Sequence, residues 1–121
     1  MKIVTRKSAP RYERDGITSY LLVAESTTGA KHLTTSLVEM TPGGKQHLHQ
    51  HPAEQSYHII SGEGLMSVGG ESQQVKQGDT VFIPSDTSHG LVNDGPGVLV
   101  YLSAGSPPFG RDDEKSLWPL R

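Results

Sequence analysis

The apolar residues of this chain come in short runs, each ended by glycine, proline or aspartate, and they almost nowhere repeat with the period of an α-helix. Short runs bounded by turn-forming residues predict β-strands joined by tight turns. Glycine pairs at 43–44 and 69–70 suit such turns, because glycine adopts the positive φ angles that they require. The pattern predicts an all-β sandwich or barrel, with strands at 17–24, 32–40, 47–51, 55–61, 65–68, 73–75, 80–83, 90–93 and 98–103.

Length and composition are those of one small globular domain. We expect residues 1–121 to form a single domain, because this length is close to the commonest domain size. The net charge of −2, with both signs interspersed, argues against nucleic-acid or acidic-membrane partners. The absence of cysteine excludes disulfides, thiolate metal sites and cysteine nucleophiles. Since no long apolar segment is present, we expect a soluble, cytoplasmic protein.

Three of the six histidines, His47, His49 and His51, alternate along one short segment. In an extended strand they would point to the same face, where buried imidazoles without partners would be costly. A metal ion removes that cost, because neutral imidazole is a good ligand for divalent cations. Three histidines on one straight strand converge poorly, so one of them should lie outside the site. His89 can then supply an imidazole from the opposite wall.

The segments around these histidines resemble the two sequence motifs of the cupin superfamily. The first motif, G-x5-H-x-H-x3-4-E-x6-G, fits residues 43–62 at Gly43, His49, His51, Gln55 and Gly62. The second motif, G-x5-P-x-G-x2-H-x3-N, fits residues 78–93 at Gly78, Pro84, Asp86, His89 and Asn93. Asp86 stands where the motif has glycine, a mild departure because aspartate tolerates left-handed turn geometry.

The resemblance implies a single-domain cupin-type β-barrel, also described as a jelly roll or double-stranded β-helix. It implies that His49, His51 and His89 bind one divalent metal ion, with residue 55 as the fourth ligand. Nitrogen ligands and an amide oxygen suit manganese, iron, nickel or zinc equally, so the identity of the metal stays open. The resemblance further implies a homodimer. The C-terminal tail, 106–121, offers Trp118 for packing on its own barrel or on a partner subunit.

Position 55 holds glutamine where the first motif has glutamate. A neutral amide leaves the charge of the ion uncompensated, which weakens metal retention and favours an added anion. We therefore expect a small carboxylate or another oxyanion as the bound partner. An alternative registration makes Glu54 the ligand, but it leaves His51 outside the site.

Acid–base chemistry in such a site needs a group other than Gln55, because a metal-bound amide does not act as a base. His47 is one candidate, since strand alternation would set it on the face of the metal ligands. Tyr57 is the other, two residues after Gln55 and so on the same face of its strand.

The resemblance supports three functional hypotheses. The first is a metal-dependent enzyme that acts on a small carboxylate, similar to oxalate-decarboxylase-like or dioxygenase-like cupins. The second is a module that binds or senses a small anion without converting it. The third is a purely structural barrel. We prefer the enzyme, although the fold and its motifs do not specify the chemistry.

Overall fold

The computed structural model describes residues 1–108 of the chain. These residues contain nine β-strands and one helical turn. The elements are β1 (Arg11–Arg14), β2 (Ile17–Val23), α1 (Glu25–Thr28), β3 (Thr34–Met40), β4 (Glu54–Ser61), β5 (Glu63–Val68), β6 (Glu71–Lys76), β7 (Thr80–Ile83), β8 (His89–Val92) and β9 (Leu99–Ser106). Within these residues, no helix is long and apolar enough to span a membrane.

The strands form two antiparallel sheets. Six strands form the larger sheet in the order β1-β2-β3-β9-β4-β7, and three form the smaller one in the order β6-β5-β8. Strand β9 lies between β3 and β4, and β8 pairs with β5, so strands distant in sequence become neighbours. Two facing sheets connected in this way form a jelly roll. The predicted all-β barrel is confirmed.

Strand β4 shows how the sequence divides between the inside and the outside of the barrel. Gln55, Tyr57 and Ile59 are buried, whereas Glu54 and His58, at the alternate positions, are exposed. This alternation follows from the pleat of a strand, which sends successive side chains to opposite faces. The buried hydrophobic core between the sheets consists of Ile17, Val38, Met40, Tyr57, Ile59, Met66, Val75, Ile83, Leu91, Leu99 and Tyr101.

The segment 47–51 is not a regular strand, and the prediction of one there is wrong. Within the described residues its ladder contact is an isolated antiparallel bridge between His49 and His89. Strand β8 begins only at His89 and pairs along its length with β5, so the ladder pairing of the segment is limited to this one position. Side-chain alternation therefore does not hold along 47–51.

Two elements gave no usable signal in the sequence. Strand β1 lies at the edge of the larger sheet and is mostly exposed, so no apolar alternation marks it. Helix α1 is a single turn with no buried residue. The predicted tail at 106–121 begins at the last residue of β9, and from residue 109 onward it lies outside the described residues.

Backbone geometry explains which residue types are found at two positions of the motifs. Asp86 has a φ of 53°, the left-handed geometry expected where the motif has glycine. Gly62 has a φ of 86°, and a Cβ atom there would lie 2.6 Å from the carbonyl oxygen of Val98. Asp86 therefore carries a tolerated strain, whereas any larger residue at 62 would collide with the start of β9.

Candidate metal centre

Three histidine side chains meet inside the barrel. The potential ligand nitrogens of His49, His51 and His89 all lie within 4.8 Å of one another. The ring centroids of His49 and His89 are 4.3 Å apart, and that of His51 is 4.9 Å from the first and 5.6 Å from the second. All three residues are buried. The sequence prediction that imidazoles from two separate segments converge is met by this arrangement.

Backbone hydrogen bonds hold the two segments together. The amide of His49 donates to the carbonyl of His89 at 3.0 Å, and the amide of His89 donates back to His49 at 2.9 Å. The amide of Asp86 donates to the carbonyl of His51 at 2.7 Å. The left-handed turn at Asp86 thus connects His51 to the loop that precedes His89.

Hydrogen bonds to backbone carbonyls set the tautomers of two imidazoles. Nδ1 of His49 lies 2.8 Å from the carbonyl oxygen of His47, and Nδ1 of His89 lies 2.8 Å from that of Thr87. A carbonyl only accepts, so each Nδ1 carries the proton and each Nε2 keeps its lone pair. This is the usual arrangement behind a metal-binding histidine, in which a second hydrogen bond orients the ring.

The Nε2 atom of His89 is buried and has no hydrogen-bond partner among the described residues. A buried polar atom left in this state costs free energy, on the order of 1–3 kcal/mol. A divalent cation held by the three imidazoles would take up this lone pair. The residues present therefore fit the metal ion that the sequence resemblance implies.

The electrostatics of the cluster also suit a cation. Burial lowers the pKa of His49 to about 4, with smaller effects of the neighbouring histidines. Burial likewise lowers the pKa of His51 to about 4 and lowers the pKa of His89. At neutral pH the three imidazoles are consequently uncharged, so their lone pairs are available to a metal ion.

The two candidates for a fourth ligand point to opposite faces of β4. Gln55 is buried on the inner face, and its Oε1 atom has no hydrogen-bond partner among the described residues. Its amide nitrogen donates to the hydroxyl of Ser103 at 3.5 Å, a long contact. Glu54 is exposed on the outer face, which removes the geometric basis of the alternative registration. Gln55 as a ligand stays a prediction.

The two predicted acid–base residues lie in different surroundings. The side chain of His47 is exposed, so the expectation that it shares a face with His49 and His51 is wrong. The expectation assumed a regular strand, which 47–51 does not form. Tyr57 is buried, and its ring centroid lies 5.9 Å from that of His89. Burial raises the pKa of Tyr57 to about 12, so its hydroxyl can donate a hydrogen bond but does not act as a base.

A buried polar network beside the cluster was missed in the sequence. The rings of Tyr57 and Tyr101 stack with centroids 4.4 Å apart. The amide nitrogen of Gln46 donates to the hydroxyl of Tyr101 at 2.7 Å and, weakly, to that of Tyr57 at 3.5 Å. Gln46 is an unspecified position of the first motif and Tyr101 lies outside both motifs, so only the tertiary fold joins them. The network fixes the orientation of Tyr57 next to His89.

Comparison with known proteins identifies the family. Residues 36–105 match the model of the cupin domain family. An uncharacterised protein of Methanocaldococcus jannaschii is 36% identical over 123 residues, which covers 97% of each chain. An oxalate-binding protein of Thermotoga maritima is 34% identical over 67 residues, covering 54% of this chain and 55% of that protein.

Solved structures agree in fold. The structure of an RmlC-like cupin from Shewanella frigidimarina has a TM-score of 0.78 at 20% identity and covers 93% of this chain and 94% of that one. A predicted oxalate decarboxylase from Thermotoga maritima has a TM-score of 0.76 at 22% identity, with 86% and 97% covered. Together with the family match over more than half of its length, these findings show that the chain belongs to the cupin family.

Proposed function

We propose that this protein holds one divalent cation on His49, His51 and His89 and acts as a metal-dependent enzyme on a small carboxylate, by decarboxylation or by reaction with dioxygen. The observation that carries the proposal is the buried, unpartnered Nε2 of His89 within 4.8 Å of the nitrogens of two other imidazoles. When bound, a divalent cation supplies a Lewis acid that can polarise an acid or present it to a co-substrate.

The charge of the donor set supports an anionic partner. All three imidazoles are neutral at neutral pH, because burial lowers their pKa values. Gln55, the buried side chain on the facing strand, is also neutral. A site of this kind keeps the full charge of the cation, which favours a small carboxylate or another oxyanion. Manganese, iron, nickel and zinc all suit such a donor set.

The residues of the chain itself would bind and orient the acid. The ring of Tyr57 stacks on that of Tyr101, and its hydroxyl accepts a weak hydrogen bond from Gln46 and remains protonated. It is suited to donate a hydrogen bond to an oxygen of the ligand. Tyr57 is proposed in this role, and His47 is not, since its side chain lies exposed.

The second candidate function is binding of a small anion without turnover. Neither predicted acid–base residue supplies a base beside the imidazoles, because His47 is exposed and the hydroxyl of Tyr57 stays protonated. The similarity to an oxalate-binding protein, at 34% identity over 67 residues, favours the same candidate. Both functions share the metal centre and the anion, and they differ only in the fate of the acid.

Oxalate binding to metal-stripped and metal-loaded protein tests the proposal. We expect the protein reloaded with manganese, iron, nickel or zinc to bind oxalate in calorimetry, and the stripped protein not to bind it. Carbon dioxide release or oxygen uptake, measured with oxalate and with simple oxo acids, should then require the metal. Metal-dependent binding without conversion of any acid would support the second function. Absence of oxalate binding in every metal form would contradict both.

The substitution Gln55→Glu tests the charge argument. A carboxylate at this buried position adds a negative ligand, so metal affinity should rise by about tenfold or more, while affinity of the loaded protein for oxalate should fall by a similar factor. Competition with a chelator measures the first quantity, and calorimetry the second. Glu54→Gln is the matched control, because that side chain is exposed on the outer face. Tighter oxalate binding in Gln55→Glu would overturn the argument.

A further inference from the structure

An open groove of about 650 Å³ lies between the two sheets where β6 and β7 form their edges. Its floor is apolar, and it is formed in part by Met66, Val68 and Val75 of the smaller sheet. Val81 of β7 lines the opposite side. The groove is therefore an opening into the interior of the barrel and not a depression on an outer face.

Strand register connects this groove to the metal centre. Val68 stands directly opposite His89 on one neighbouring strand and opposite Glu71 on the other. Residues directly opposite in antiparallel strands point to the same face, so the three form one row on the inner face of the smaller sheet. Neighbouring strands are spaced by about 4.8 Å, so the Cα atom of Glu71 lies about 10 Å from the Cα atom of His89. Thr87, whose carbonyl orients His89, also lines the groove.

The charges along the groove are of one sign. Among its lining residues the charged ones are Glu71 and Asp79, both acidic. A carboxylate of Asp79 already accepts a hydrogen bond from the backbone amide of Lys76 at 2.8 Å, within the turn before β7. Glu71 is exposed at the mouth, at the end of the row that begins with His89. The negative charge of Glu71 would repel the far end of a ligand held at the histidine cluster if that end is anionic, and attract it if it is cationic.

We propose that the groove receives the far end of the bound acid and that Glu71 selects ligands whose far end is a positively charged amine. The carboxylate of such a ligand lies at the histidine cluster, its apolar chain packs on Val68, and its amine faces Glu71. This inference rests on the proposed function, because it takes the carboxylate to bind at the metal centre. Oxalate is too short to reach Glu71, so its binding is independent of the groove.

Three five-carbon acids that differ only at the far end provide the test. We measure affinities by calorimetry with zinc-loaded protein at low ionic strength. 5-Aminopentanoate should bind most tightly, pentanoate less tightly and glutarate most weakly, and the affinities of the first and the last should differ by about tenfold. In Glu71→Gln this difference should shrink to about threefold or less, and in Glu71→Lys the order should reverse. In Glu71→Gln and Glu71→Lys the affinity for oxalate should change less than the affinity for glutarate, because oxalate stays about 10 Å from residue 71.

Glu63→Gln is the matched control, because Glu63 is an exposed carboxylate of the same sheet that stands at an odd number of residues from Val68 and so points to the opposite face. The Glu63→Gln variant should bind the three five-carbon acids in the same order of affinity as the wild-type protein. As a second readout, pentanoate should shift the amide resonances of Val68 and Gln73 in wild-type zinc-loaded protein.

The outcomes separate the two proposals. Glutarate binding as tightly as 5-aminopentanoate, or an order unchanged in Glu71→Gln, would overturn the role of Glu71 even when oxalate binds normally. Amide shifts that leave Val68 and Gln73 unaffected would overturn the use of the groove. Loss of oxalate binding in the wild-type protein, by contrast, would refute the metal-centred function itself.

Discussion

Replacing His89 with alanine should lower the affinity for a divalent metal ion by about a hundredfold or more, since each ligand of a protein metal site contributes several kcal/mol to binding. His89 is the fully buried member of the cluster, with 0% exposure, and its Nε2 is held in place by the hydrogen bond from Nδ1 to Thr87. Elemental analysis after gel filtration should find about one metal ion per wild-type chain and a small fraction of that in the variant.

His47→Ala is the control for this experiment, because it removes an exposed imidazole from the same segment and keeps the backbone carbonyl that orients His49. It should retain its metal. Since truncation of a buried side chain also leaves a cavity, His51→Gln provides a second test in a variant of nearly native volume. Normal metal content in both His89→Ala and His51→Gln would refute a centre built on these histidines.

The fold was predictable because its strongest signals are local. The turn glycines and the alternation on β4 belong to regular strands, where the pleat alone decides which side chains are buried. Gln55 inside and Glu54 outside follow from that rule. Strand β1 escaped notice because an exposed edge strand need not alternate, and α1 because one turn contains too few residues for a period.

The site was predictable in part for the same reason. The same alternation rule failed for His47, because 47–51 is paired with its neighbour at a single bridge and so has no fixed pleat. His49 and His51 reach the cluster through the bridge to His89 and the turn at Asp86. The spacing of the motifs indicates that the histidines converge, but it does not predict these backbone contacts. Gln46 and Tyr101 are 55 residues apart. The amide of Gln46 donates to the carbonyl of Leu91 on β8, so only the packing of the smaller sheet against the larger one brings its side chain to Tyr101 on β9.

Acid should destabilise the metal-free protein strongly. Burial lowers the folded-state pKa of His49 and of His51 from the usual 6.5 to about 4. Between these values the unfolded chain binds more protons than the folded one, so the free energy of unfolding falls as the pH falls. The stabilisation is complete above about pH 6.5 and is lost as the pH approaches 4. Between pH 7 and pH 5 the loss is about 2 kcal/mol for each histidine.

Thermal unfolding of chelator-treated protein measures this effect, and Tm should fall by roughly 15 °C between pH 7 and pH 5. In His51→Gln the fall should be smaller, because one of the three buried imidazoles is gone. Metal-loaded protein should start from a higher Tm at pH 7 and should approach the metal-free curve in acid, where protons compete with the cation for the same nitrogens. A Tm of the metal-free protein that is constant over this range would mean that the imidazoles are accessible to protons in the folded state, and the buried, neutral cluster on which the metal centre depends would then be wrong.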